Sequence, residues 1–247
     1  MNFRWQRLRD FAAATLICVS ASAAFASSFE ITWSYTQRKV SSGKFPIHSA
    51  CMMPPEGHLT RIGLKGAEGM TKESEAWAKA LEALVESHLK YDGIAIDLAT
   101  NPLSSGASGE EIRGVISQVQ EKFNTLSPLI HKNPGRVAKS AYTLGDQVGM
   151  LPCSEKSDIL VFVQGQGQVL TDNRAGMTML VGGPAEGALV LVAMADAKTG
   201  EIVGLIQIYP GDGFLDSAEG ACGEKLENEL AIMNIGSARK NAKARER

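Results

Sequence analysis

Apolar positions fall into short unbroken runs in the second half of the chain and into helix-spaced stripes in the first half. Ile159 to Val163 is a continuous apolar run rich in β-branched side chains, the pattern of a strand covered on both faces. Two further runs, Ala188 to Ala195 and Glu201 to Tyr209, flank Asp196-Ala197-Lys198-Thr199-Gly200. Asp196 can accept from amides two residues on, and Gly200 tolerates positive φ, so these runs predict an antiparallel hairpin. Two Gly-containing stretches, Gln164 to Gln168 and Val181 to Gly187, bracket residues 174–180, which could form a loop or a second hairpin.

Before these strands, Phe45 to Met53 reads as a first strand that Pro54-Pro55-Glu56-Gly57 ends. Residues 70–90 predict a helix. Trp77, Leu81, Leu84, Val85, His88 and Leu89 share one stripe, Lys72, Glu73, Lys79, Glu82 and Glu86 lie mostly opposite, and Thr71 is placed to cap the start. His88, beside the stripe, reads as a half-buried packing residue. Tyr91-Asp92-Gly93 turns the chain into a second strand, Ile94 to Leu98, where Asp97 needs a partner if buried. Ser108-Gly109-Glu110-Glu111 fits a capping box. Ile112, Ile116, Val119, Phe123 and Leu126 then recur at helical spacing up to Ser127, where Pro128 is expected to stop the helix. A short helix is expected from Thr143 through Leu151, and a closing helix from Ser217 to about Ile232.

This order predicts a single α/β domain over residues 44–233, three-layer-like, with helices packed on a mixed sheet. Strands one to three should be parallel and the C-terminal hairpin antiparallel. Residues 27–43, polar around Phe29 to Tyr35, read as a flexible arm, with an edge strand or a partner-binding arm as the other readings. Residues 234–247 form a basic tail with no apolar face.

The N-terminus changes the picture. Arg4, Arg7 and Arg9 precede an apolar stretch from Phe11 to Val19, and Ala24-Phe25-Ala26 is a small-x-small site, so residues 1–26 read as a secretory signal. Ile17 is not the small residue that lipoprotein processing at Cys18 requires. The 247 residues carry a formal net charge of −2. Residues 1–26 hold three of the 25 Lys and Arg and one of the 27 Asp and Glu, so cleavage leaves −4, a balance that argues against a nucleic-acid partner. No later segment reaches the roughly 20 apolar residues of a membrane span.

Cys51, Cys153 and Cys222 remain after cleavage, with no C-x-x-C spacing, which suits one disulfide and disfavours a zinc site. If Cys51 ends strand one and Cys222 follows a last strand of the same sense, both lie at one end of the sheet. The expected bridge is then Cys51 to Cys222, with Cys153 left over; three unbridged buried thiols are the other reading.

The chain holds no Gly-x-Ser-x-Gly elbow, His-Glu-x-x-His pair or P-loop, and His48, His58, His88 and His131 are dispersed. Gln164 to Gln168 follows a strand but opens no helix, so a bulged or flexible strand end fits better than a phosphate loop. Asp212 and Asp216 lack hand-type calcium spacing. No catalytic residue, metal ligand or cofactor is therefore expected.

Thr143-Leu144-Gly145-Asp146, then Ser157 to Gly165, a Gly-rich break, and the hairpin Asp196 to Val203 together resemble bacterial envelope proteins of the CsgG-like group, over about residues 44–233. The resemblance implies a periplasmic α/β domain that assembles or binds at the envelope without catalysis. The loop from Arg174 to Gly187 is short for a pore-forming hairpin, and no site residue carries over. Expected partners are envelope proteins or further copies of the chain, with Met177, Met179 and Leu180 as a candidate contact loop. The competing reading is a periplasmic enzyme that binds a small ligand or metal, which would need His48, Asp97 or Asp212 gathered in a cleft.

Overall fold

The computed structural model describes residues 31–100, 109–171, 186–210, 214–215 and 222–233. Its described strands are β1 (Ile31–Thr36), β2 (Ser49–Met52), β3 (Glu56–Gly63), β4 (Gly66–Gly69), β5 (Ala95–Leu98), β6 (Ile159–Leu170), β7 (Glu186–Asp196) and β8 (Ile202–Tyr209). The helices are α1 (Arg38–Ser41), α2 (Thr71–Tyr91), α3 (Gly109–Lys132) and α4 (Glu224–Ile232). Two 3₁₀ turns, Pro134–Lys139 and Asp146–Met150, follow α3.

All eight strands belong to one mixed sheet in the order β1-β8-β7-β6-β2-β5, with β3 beside β6 and β4 beside β3. The expected α/β architecture is present. β2 runs parallel to both β5 and β6, and β6, β7 and β8 form an antiparallel meander. The hairpin turn behaves as its residues dictate: Asp196 Oδ1 accepts from the amides of Lys198 (2.9 Å) and Thr199 (3.2 Å), and Gly200 sits at φ 69°.

Side-chain alternation along the sheet builds two cores. On one face Val161, Val163, Val192 and Ile206 pack with Trp77, Leu81 and Val85 of α2 and Leu226 and Leu230 of α4. On the other, Leu160, Phe162, Ala193 and Leu205 pack with Phe123 and Ile130 of α3 and with Val137 and Val148 of the 3₁₀ turns. Phe123 and Phe162 stack with ring centroids 4.4 Å apart. Each large side chain taken out of water here contributes on the order of 1.5–3 kcal/mol, so helices on both faces are what make this sheet stable.

Several expectations are corrected. Residues 31–36 are not a flexible arm: β1 pairs antiparallel with β8 along its whole length, from Ile31 opposite Tyr209 to Thr36 opposite Gly204. The segment is pinned at its end by buried Gln37, whose Nε2 donates to Ile202 O (2.8 Å), and by Lys39, whose Nζ lies 2.5 Å from Glu201 Oε2. Pro54-Pro55 does end β2, but Glu56-Gly57 open a new strand, β3, instead of belonging to the break. β2 pairs with Ile159 to Val161, and after the break β3 pairs in the same sense with Gln164 to Leu170, so one long strand carries two short neighbours end to end.

Third, Pro128 lies inside α3, which continues to Lys132 because Ile130, fully buried, extends the same apolar stripe. The Tyr142 hydroxyl then caps the helix end by donating to Leu129 O (3.0 Å) or Asn133 O (3.1 Å). Finally, the disulfide joins Cys51 to Cys153, with Cα atoms 5.8 Å apart, instead of Cys51 to Cys222. Cys51 and Cys153 belong to the α3-side core, whereas Cys222 is buried in the core on the opposite face. The sheet itself separates Cys51 from Cys222, and β2, only four residues long, leaves Cys51 within reach of the turn that precedes β6.

The Gln-Gly-Gln-Gly-Gln run is neither bulged nor loose. It pairs in register on both sides within β6. A Cβ at Gly165 would lie 2.4 Å from Trp77 Cζ3, and one at Gly167 would lie 2.7 Å from both Leu59 and Phe214, so the glycines make room for large side chains on the α2 face.

Candidate functional site

The Pro54-Pro55 break opens a cleft of about 680 Å³ between the sheet and α3, lined by Pro54, Pro55, Glu56, Ile116, Gln120 and Asn124 together with Ser117, Glu121 and Thr125. Two proline residues supply no backbone N–H for a ladder, so strand pairing stops here and resumes at Glu56. The cleft exists because of that interruption.

A polar network forms its inner end. Asn124 Nδ2 donates to Glu56 Oε1 (3.0 Å), and Gln164 Nε2 reaches Glu56 Oε2 (3.4 Å) and Asn124 Oδ1 (3.3 Å). Gln164 Oε1 in turn accepts from Ser127 Oγ (2.6 Å), and both Gln164 and Ser127 are buried. The chain of bonds fixes the Glu56 carboxylate in place, as a preorganised acceptor. Gln120 is only 9% exposed, and its Oε1 is buried without a hydrogen-bond partner. Glu56 also has the exposed imidazole of His58 nearby, with Nε2 4.0 Å from Oε2, beyond hydrogen-bond range.

A second polar and aromatic cluster lies where α3 ends against β8. Gln207 Nε2 is 3.2 Å and Tyr209 Oη 3.5 Å from His131 Nδ1, and Trp33, 45% exposed, meets Tyr209 edge-on at 5.6 Å. Burial, reinforced by neighbouring Tyr35, pushes the Tyr209 hydroxyl above the ordinary tyrosine range. This cluster links the end of α3 to β8, one strand in from β1.

The residues proposed from sequence are scattered. His48 is exposed, and its backbone N–H donates to Asp158 Oδ2 (2.7 Å); His88 is half-buried on α2, as expected. Asp97 is half-buried on β5, opposite Cys51, and its Oδ1 accepts from the Leu98 amide (2.9 Å). None of the three lines the cleft. Asp212 lies outside the described residues, as do Met177, Met179 and Leu180. Among the described residues no group of three or more His, Cys, Asp or Glu could hold a metal ion, and no helix is long and apolar enough to cross a membrane. The cleft residues were missed, although a signal was present: Gln120 and Ser127 fall within the apolar stripe of α3, one turn from Ile116 and Phe123 respectively.

No known family profile matches the sequence, and no curated protein sequence does. Among solved structures the chain is similar to a PelC dodecamer from Paraburkholderia phytofirmans in space group P6, at a TM-score of 0.36 and 9% identity, covering 85% of this chain and 100% of that one. A point variant of that dodecamer in space group C2 gives a TM-score of 0.39 and 6% identity over the same shares. Likeness of this size carries no functional weight.

Proposed function

We propose that this is an exported, non-catalytic protein of the bacterial envelope, periplasmic or secreted, that binds another envelope component through the cleft between the Pro54-Pro55 break and α3. The observation that carries the reading is the buried Cys51–Cys153 disulfide, because such bridges persist in oxidising compartments. It agrees with the signal-like first 26 residues. The CsgG-like reading rests on the sequence motifs Thr143 to Asp146, Ser157 to Gly165 and Asp196 to Val203. Binding is favoured in the cleft because Glu56, held by donation from Asn124 and Gln164, presents a fixed carboxylate acceptor there.

The test is to express the full chain in a bacterial host, with a photo-crosslinking residue in place of Thr125, an exposed lining position. Intact mass should show loss of residues 1–26 and of two hydrogens for the disulfide, and light should attach an envelope component at Thr125. Retention in the cytoplasm with reduced cysteines would refute export. Absence of any attached envelope species would refute the binding role. Self-association is tested in the same preparation by light scattering, where a concentration-dependent mass above that of one chain supports it.

A further inference from the structure

We propose that the solvent-facing end of the sheet, on its α3 side, binds an uncharged glycan chain laid across the strands, stacked on Trp33 and hydrogen-bonded by Gln166 and Gln168. This surface is separate from the cleft, and the inference goes beyond the binding function above without resting on it.

α3 crosses the sheet over Gln164 and Gln207, which bond its Ser127 and His131. Further along β6 the same face emerges into solvent. Gln166 and Gln168 are exposed there, while Gly165 and Gly167, which alternate with them, stay covered by Trp77, Leu59 and Phe214 on the opposite face. In register on β3, His58 stands opposite Gln166 and Thr60 opposite Gln168, the first exposed and the second half-buried. At the β1 end of this face Trp33, 45% exposed, lies opposite Gln207 and meets Tyr209 edge-on. This part of the sheet is dry on one face and wet on the other, and the wet face ends in a tryptophan that core packing does not account for.

The six side chains Trp33, His58, Thr60, Gln166, Gln168 and Tyr209 include no Asp, Glu, Lys or Arg. Amides, a hydroxyl, a phenol and an imidazole take the place of the charges that keep an ordinary surface soluble. Each of those groups can both donate and accept. Sugar hydroxyls do the same, so a ligand covered in them satisfies every group, whereas a phosphate or carboxylate chain would find no cation among the six. A polypeptide would add itself to a strand edge or seek apolar pockets, and this surface is a polar face. Trp33 completes the site, because the negative face of an indole attracts the C–H groups of a pyranose ring. β8, β7, β6 and β3 lie side by side, which makes the surface ~14 Å wide at about 4.8 Å per strand.

The probes are cellohexaose and chitohexaose, both uncharged, with hexagalacturonate as the anionic comparison, titrated into the processed full chain. Affinity is read by calorimetry and contact by tryptophan emission. Trp33 and Trp77 are the two tryptophans beyond residue 26, and Trp77 is buried, so a change in emission on binding reports Trp33. At least one neutral hexamer should bind tenfold or more tightly than hexagalacturonate, shift the emission and hold its affinity as salt is raised. Affinity should grow with oligomer length until the chain spans the strands. Trp33→Ala should abolish the emission change and weaken binding at least tenfold; Gln166→Ala and Gln168→Ala, at exposed positions, should each weaken it several-fold with the melting temperature unchanged.

No binding by either neutral hexamer overturns the proposal, as does equal binding of the anionic one. Wild-type affinity in both Trp33→Ala and Gln166→Ala overturns it as well, since the sugar would then sit elsewhere. A photo-crosslinking residue in place of Gln168 that attaches to a protein, with the hexamers silent, would give this face to a polypeptide and end the glycan assignment. The crosslink at Thr125 reads the cleft by itself, so either site can fail while the other stands.

Discussion

Gly165 lies directly beneath Trp77: a Cβ on the glycine would sit 2.4 Å from the indole Cζ3, closer than any side chain allows. Trp77 is 4% exposed and also meets Phe214 at 5.3 Å, so it cannot back away into water. Gly165→Ala is therefore expected to destabilise the protein by about 1–3 kcal/mol through overpacking. Urea unfolding measures it. Gly114, on α3 with nothing within 4 Å of its would-be Cβ, is the contrast. Gly114→Ala should stabilise by about 0.4–1 kcal/mol.

Removing the Cys51–Cys153 bridge, which closes a separation of 102 residues, should cost about 2–5 kcal/mol. The double serine variant tests this by chemical denaturation. Proteolysis of the untreated protein followed by mass spectrometry should recover a peptide pair joined through Cys51 and Cys153.

Pro128 interrupts the hydrogen bonds of α3 at an exposed position. Pro128→Ala supplies the missing amide and removes the ring, and is expected to raise stability by about 1–3 kcal/mol. A lower melting temperature in this variant would show that the proline ring itself contributes to the packing of α3.

Partial burial works against ionisation of Glu201, yet hydrogen bonds from Lys39, Ser140 and Gln37, with the Lys39 charge, hold its carboxyl below the ordinary 4.5. A lowered folded pKa means that the stabilisation is complete above the unfolded carboxylate value and is lost as pH falls through the folded one. At pH 7 wild type should exceed Glu201→Gln by about 0.2–1 kcal/mol, the range for partly exposed pairs. The gap should close as acid is added, which parallel urea titrations at pH 7 and below pH 4 would reveal. A gap that persists in acid would assign the effect to shape instead of charge.

The sequence made the central sheet and α2 legible because both carry strong periodic signals. Ile159 to Val163 had to be buried on both faces, and the Asp196 to Gly200 turn left one way to connect its strands. β1 was harder. Its alternation of Ile31, Trp33 and Tyr35 with Thr32, Ser34 and Thr36 is that of a half-exposed edge strand, and its anchors, Ile202 and Glu201, lie more than 160 positions away. β3 and β4 were hidden by composition, since Glu56 to Gly63 and Gly66 to Gly69 carry few apolar residues and are held by pairing to their neighbours. The disulfide depended on which face of the sheet each cysteine joins, and that is set by packing between remote segments. The cleft was legible only as two polar residues, Gln120 and Ser127, inside an apolar stripe.

The match of Ile31–Thr36 with Gly204–Tyr209 sets the order in which the molecule can be completed. A nascent chain that stops before residue 204 leaves its earliest described strand unpaired, because β8 is the only described strand that β1 pairs with. The sheet stays unlatched until nearly the whole polypeptide has been made.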